Sequence, residues 1–373
     1  MRYYEITITD QQTGATVTPT SAPVSPLATY TSYANGRNLP GALDVAFDIP
    51  VTNLDNPGGP GDTAAVVQVR GVSLQEISQA RDLTNKLVSV SGGFRPGLPL
   101  ASAAAKYSGL LTSGYVLQAF GNWVGTEMTL DLVIASGFGP QGAGPLVITP
   151  SVQPLGLGTD RQPRNLVLNW LPGQTLGLAV RNALAQAFPG ATIIDNTSPN
   201  LINTKGQAQV GMYSTAQQFA QVVNALSRGI NQNSNYSGIV ISQVGQVRQN
   251  SQTFTLNDGT RQSQNPKRIL FQDLIGQPTW IDLNTVQFKC PMRADIKIGD
   301  FVLMPPALAT TALNPLGGQQ LRQSSTFKGQ FTIQRMRHVG NFRQPDADSW
   351  VSTFDAAAQI PQGTANAATA GLQ

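Results

Sequence analysis

The side chains able to do acid–base or nucleophilic work are few: three glutamates (Glu5, Glu76, Glu127), one histidine (His338) and one cysteine (Cys290) in a chain of 373 residues. Glu127, in Gly125-Thr126-Glu127-Met128, is the carboxylate best placed to act as a glycosidase acid, and Asp131 follows four residues later on the same face of an expected strand. Glycoside cleavage needs two carboxyl groups facing each other across the scissile bond. Two carboxylates on one strand face are not such a pair, and both are read as strand residues. His338, in Arg335-Met336-Arg337-His338-Val339-Gly340, leaves no second histidine for a two-histidine metal site. At a strand end it reads as a packing or hydrogen-bonding residue, its pKa lowered by the flanking arginines. Cys290, with Val286 and Phe288 as strand neighbours, reads as a small buried hydrophobe, and a lone cysteine excludes an intramolecular disulfide and a cysteine-ligated metal.

Gly137-Phe138-Gly139-Pro140-Gln141-Gly142 formally matches a dinucleotide fingerprint behind an apolar stretch, Leu130 to Ala135. That motif works only if its third glycine opens a helix, and Ala143-Gly144-Pro145-Leu146 does not start one. Lys267-Arg268 reads as a solvated pair at the start of a strand. The sequence therefore assigns no catalytic, cofactor-binding or metal-binding residue, and the expectation is a protein that is not an enzyme.

The elements that carry these residues fall into three blocks. Residues 1–155 alternate like strands over Tyr3 to Thr9, Leu43 to Ile49, Ala65 to Val72, Leu87 to Gly92, Tyr115 to Phe120 and Thr129 to Ala135, with Gly/Pro punctuation between them. One helix interrupts them, announced by the capping box Ser73 and Glu76. Residues 165–230 change to a strand–helix pattern: a helix from Gln174 to Ala187 with Leu176, Val180 and Leu184 on one face, and another beyond Ser214 with Phe219, Val222, Val223 and Leu226. Strands resume over residues 238–358, including Phe301-Val302-Leu303-Met304 after the Gly299-Asp300 turn. The last stretch, 363–373, has no periodicity and reads as a flexible tail. The fold class is thus mainly β with an α+β insert.

Charged residues make up 12% of the chain, about half the roughly 25% of an average soluble domain. Interface cores are poor in charge, so this composition points to an assembly component. The net charge of +4 is scattered, and no basic tail marks a dedicated nucleic-acid binder. No apolar run is long enough to span a membrane, the N-terminus lacks the apolar core of a signal peptide, and folding in a cytoplasm is expected.

Two stretches carry a family resemblance. Gly71 to Ile77, Leu87 to Phe94, Gly97 to Leu100 and Gln118-Ala119-Phe120-Gly121-Asn122-Trp123-Val124-Gly125-Thr126 resemble the first barrel of the baseplate hub proteins of contractile-tailed bacteriophages. Ile269 to Trp280, Arg293 to Asp300, His338-Val339-Gly340-Asn341-Phe342-Arg343 and Asp348-Ser349-Trp350 resemble their second barrel. The resemblance covers roughly residues 65 to 355. It implies two tail-tube-like β-barrels separated by the small α/β domain, and a homo-trimer whose six barrels close a pseudo-sixfold ring. It further implies contacts with the tail tube or a tube adaptor, the central spike, the tape measure and other baseplate proteins. DNA would pass through the channel without sequence-specific binding, and the particle, a virion tail baseplate, would be assembled in the host bacterial cytoplasm. The alternatives are a hub-associated peptidoglycan-degrading enzyme, for which Glu127 and Asp131 are the available carboxylates, and another virion protein such as a tube subunit.

Overall fold

The computed structural model describes residues 1–9, 29–54, 64–84, 86–95, 107–136, 166–188, 191–214, 216–231, 236, 238–244, 253–261, 265–282, 285–305 and 329–358. The glycine-rich run 137–142 and the tail 363–373 lie outside them.

The chain opens with strands β1 (Arg2–Thr9), β2 (Thr29–Thr31), β3 (Tyr33–Ala34), β4 (Arg37–Asn38), β5 (Asp44–Val51) and β6 (Ala64–Arg70). The short helix α1 (Leu74–Ser78) follows, then β7 (Leu87–Phe94), β8 (Ser108–Val124) and β9 (Glu127–Ser136). The insert contains β10 (Leu166–Trp170), α2 (Leu176–Ala187), β11 (Thr192–Asn196), β12 (Gln209–Tyr213), α3 (Ala216–Ile230), β13 (Val240–Val244) and β14 (Thr253–Asn257). The chain then runs through β15 (Lys267–Arg268), β16 (Thr279–Asp282), β17 (Thr285–Pro291), β18 (Phe301–Leu303), β19 (Gln330–Asn341) and β20 (Trp350–Ala358). The class is mainly β with an α/β insert, as the sequence indicates.

The capping box forms as expected: the Ser73 hydroxyl accepts from the Glu76 N–H and the Glu76 carboxylate accepts from the Ser73 N–H. In the insert, Thr175 caps α2, whose buried face of Leu176, Val180 and Leu184 packs against Trp170 and Phe219. The insert extends further than the sequence reading placed it. β13 and β14 do not belong to the second β block; they join β11 in a separate three-stranded sheet, with β14 parallel to β11. Ile239, Ile241, Phe254 and Leu256 fill the insert's core. Alternating apolar residues show that a segment is a strand but not which sheet receives it.

The two remaining β blocks share one strand order. In the first, the sheet runs β5-β6-β9-β8-β7; in the second, β16-β17-β20-β19-β18. Numbered within each block, both read first, second, fifth, fourth, third, with every neighbour antiparallel. A tripeptide marks the same rung in both: Gly121 of Gly121-Asn122-Trp123 lies opposite Leu130, and Gly340 of Gly340-Asn341-Phe342 opposite Trp350. β1 and β2 extend the first block beyond β7, and β15 adds to the second beside β18.

The two blocks are also one sheet. β19 pairs with β18 over Gln330 to Thr332 and then, along the same edge, with β5 over Met336 to Asn341. In the first block the sheet rolls over its core. Phe47 on β5 and Gly92 on β7 are four strands apart, about 19 Å in a flat sheet. Yet the Phe47 ring lies 3.5 Å from where a Cβ on Gly92 would stand. Among the described residues the hydrogen-bonded path nevertheless stays open, ending at β2 and β16.

Candidate functional surface

Side chains alternate across each strand, so the continuous sheet presents one face to its cores and one outward. The inner face carries Val45, Val67, Leu132 and Ile134 in the first block and Phe288, Phe331 and Phe354 in the second. The outer face mixes exposed apolar side chains such as Val66 and Phe120 with charged groups that are paired or hydrogen-bonded to their neighbours. Arg70 pairs with Asp44 at 3.3 Å and donates to Gln68 at 2.9 Å; Gln68 donates to Asp131 at 2.7 Å, and Asn122 donates to the other Asp131 oxygen at 2.6 Å. Further along, Arg337 pairs with Asp48, Gln287 donates to Asp355 at 2.9 Å, and Lys289 pairs with Asp348 at 3.0 Å. An open cleft of about 460 Å³ lies on this face at the β5–β19 junction, lined in part by Asp48, Gln68, Asp131 and Asp346. Each of its carboxylates is held by a guanidinium, an ammonium or an amide.

Glu127 and Asp131 lie on β9 as expected, Glu127 exposed at the hairpin tip and Asp131 inside the amide ladder. Four residues along a strand separate them by roughly 13 Å, beyond the roughly 5–9.5 Å that glycosidase carboxyls need. Glu5 accepts from Tyr3, and Glu76 serves its cap and Tyr30. Among the described residues no group of three or more His, Cys, Asp or Glu is arranged to hold a metal ion.

His338 is fully buried on β19, its Nδ1 at 2.7 Å from the Ser352 hydroxyl. Its pKa is held down at about 4, but burial is the cause. The flanking Arg337 points to the opposite face, toward Asp48, so the sequence-based attribution to the arginines does not hold. Cys290 is buried in the second core as expected, and burial pushes its thiol up to about 12. Lys267 is not simply solvated: its ammonium pairs with Asp300 at 2.6 Å and reaches the Asp295 carbonyl.

The sequence reading missed an ionic cluster inside the second block. Arg293, 2% exposed, forms a bidentate pair with Asp295 at 2.9 and 2.7 Å, and its Nη1 lies 3.8 Å from Asp273. Tyr107, from the first block, donates to Asp273 at 2.8 Å and places its ring under the guanidinium. The Arg293 backbone N–H donates to the same Ser352 hydroxyl that meets His338. Arg293-Ala294-Asp295 looks like a polar turn in the sequence, and only the close spacing of unlike charges gives any signal of a pair. Arg2 adds a second tie between the blocks, donating to the Asn341 carbonyl and the Ser349 hydroxyl beneath the Trp350 ring.

No family model matches the chain, and no curated protein matches it. Among solved structures it is similar to a tail protein from Neisseria meningitidis MC58, at 10% identity over 95% of this chain and 96% of that one, with a TM-score of 0.40. A 43 kDa tail protein of prophage MuSo2 from Shewanella oneidensis is similar at 8% identity over 85% and 97%, with a TM-score of 0.40. A Francisella PdpA-VgrG complex is similar at 7% identity over 96% of this chain and 53% of that one, with a TM-score of 0.39.

Proposed function

We propose that the chain is a structural subunit of a phage tail, a baseplate hub of which three copies close a ring of six units between the tail tube and the central spike. The observation that carries this reading is the repeated strand order of the two β blocks, joined edge to edge in one sheet. A subunit that contains two copies of one unit, already side by side, turns three chains into a six-unit ring and so matches sixfold to threefold symmetry. Two units per chain favour the hub over a tube subunit with a single unit.

The outer sheet face supports a passage role. A wall that grips DNA uses uncompensated Lys and Arg on phosphates, whereas here the cations are matched by neighbouring carboxylates. Such paired cations leave phosphates little to hold, which suits DNA and a tape measure passing through the ring. The chain performs no catalysis in this reading, and its partners are the tube or tube adaptor, the spike and the other baseplate proteins of a virion assembled in the bacterial cytoplasm.

Electron microscopy of the purified protein tests the reading: threefold rings are expected, and a twofold particle, or a chain that stays monomeric both alone and with its spike, overturns it. A peptidoglycan zymogram is expected to show no clearing. A band that disappears in Glu127→Gln would favour the wall-degrading enzyme.

A further inference from the structure

The junction inside the chain has a counterpart at two other edges of the sheet, which no further strand covers among the described residues. Within the chain, the fourth strand of the second block (β19) runs past its third strand and pairs the remainder of that edge with the first strand of the other block, β5. The fourth strand of the first block, β8, likewise runs past its third strand: β7 covers it from Ser108 to Tyr115, and the Val116 N–H then meets the Lys86 carbonyl. Among the described residues no strand pairs with that edge from Leu117 to Val124. The first strand of the second block, β16, ends the sheet, with β17 as its only strand neighbour among the described residues.

We propose that these two edges bind each other between copies: the β8 edge of one chain receives β16 and the residues just before it from a second copy. The same joint that links the blocks within the chain is thereby repeated between chains. This rests on the ring reading above and names its interface.

The side chains agree. At the internal joint, Phe342 packs edge-on against Tyr4, at 4.9 Å, and against Trp350, at 6.1 Å. Its counterpart on the β8 edge, Trp123, is 62% exposed, and Phe120 and Val124 beside it are also exposed. On the other edge Trp280, whose ring lies 6.0 Å from that of Phe331, and Ile281 are partly exposed. Apolar side chains on a strand edge in water are a template for pairing with another chain. The two edges sit on different blocks, so the contact is head-to-tail, and it stops growing only when a ring closes.

The register follows from the repeat. With Gly121 aligned to Gly340 and the ladders counted across, the pair Met336–Val51 becomes Leu117 opposite Trp280, and Val339–Asp48 becomes Phe120 opposite Gln277.

The test uses the full chain in two double variants, Leu117→Cys with Trp280→Cys and Phe120→Cys with Gln277→Cys, under a mild thiol oxidant, with the single variants as controls; native Cys290 is buried and serves as background. Covalent dimers and trimers are expected from the double variants only. Trp123→Lys in the otherwise native chain is expected to weaken association about tenfold or more, read by mass photometry. If threefold rings form but neither double variant cross-links and Trp123→Lys assembles normally, the interface is wrong and the ring reading survives. If cross-links form in open or twofold particles, the interface stands and the hub reading fails. A chain with no association and no cross-link overturns both.

Discussion

Counted from Gly121 and Gly340, equivalent rungs of the two β blocks hold different chemistry. Where the first block sets Ala119 opposite Leu132, the second sets His338 opposite Ser352; where the first places Val67, the second places Cys290. Each block also carries an arginine at or just past the end of its second strand: Arg70 is the last residue of β6, and Arg293 follows β17 by two residues. Arg70 lies on the outer face, its side chain 34% exposed, whereas Arg293 is buried among carboxylates at 2%. Strand order and pairing geometry are therefore kept while the core beneath them changes from apolar to partly polar. Pattern specifies the sheet, and core chemistry decides where stability is sensitive to charge and pH.

The largest difference is expected between these two arginines. Arg293→Ala leaves Asp273 and Asp295 without their cation and should cost about 3–5 kcal/mol, whereas Arg70→Ala should cost less than about 1 kcal/mol; urea titrations of the two variants check the contrast. A pH series comes next. Folded His338 has its pKa lowered to about 4, against about 6.5 in an unfolded chain, so the unfolded state takes up the proton first as pH falls. Its contribution is whole above about pH 6.5 and lost progressively toward pH 4, about 3 kcal/mol across that window. His338→Gln should flatten the slope between pH 6.5 and 5, and a wild-type profile already flat there would contradict the buried neutral imidazole.

The marker glycines sharpen the comparison further. A Cβ on Gly340 would stand 2.4 Å from the Phe47 ring, while one on Gly121 would stand 2.5 Å from the Ile77 carbonyl oxygen. Gly340→Ala should cost about 1–3 kcal/mol and be partly rescued by Phe47→Leu. Gly121→Ala meets backbone and should find no side-chain rescue. Smallest is the exposed ion pair of Arg337 with Asp48, where Arg337→Ala should change stability by less than about 1 kcal/mol, read as a shift in thermal midpoint.

Much of the fold is legible in local pattern. The alternation of β5, β6, β9 and β17, the Ser73–Glu76 cap, the amphipathic α2 and the buried Cys290 all follow from residue types at fixed spacing. Partner choice between strands is not local. Val240 to Val244 reads as a strand like those of the second block, and the hydrophobic core under α2 and α3, which Ile241 joins, draws it to the insert. The β5–β19 joint has no periodic signature, although the repeated Gly-Asn-aromatic tripeptides marked the rung beside it. At the candidate surface, the absence of a carboxylate pair at Glu127 and Asp131 could be argued from strand spacing alone. The Arg293 cluster could not, because its members come from three separated segments that meet only when the sheet is formed.

That joint also has a temporal consequence. Arg337 and Asp48, which face each other across it, are 289 positions apart in the chain. At a translation rate of roughly 5–20 residues per second, β5 emerges roughly 15–60 s before the strand that covers it. The first block thus has an open, strand-ready edge throughout its own synthesis and until β19 is made, and neighbouring chains on one polysome present the same edge to one another. The insert, made in that interval, delays the return of β19, so the rate of elongation and the spacing of ribosomes govern whether β5 meets its own chain or another.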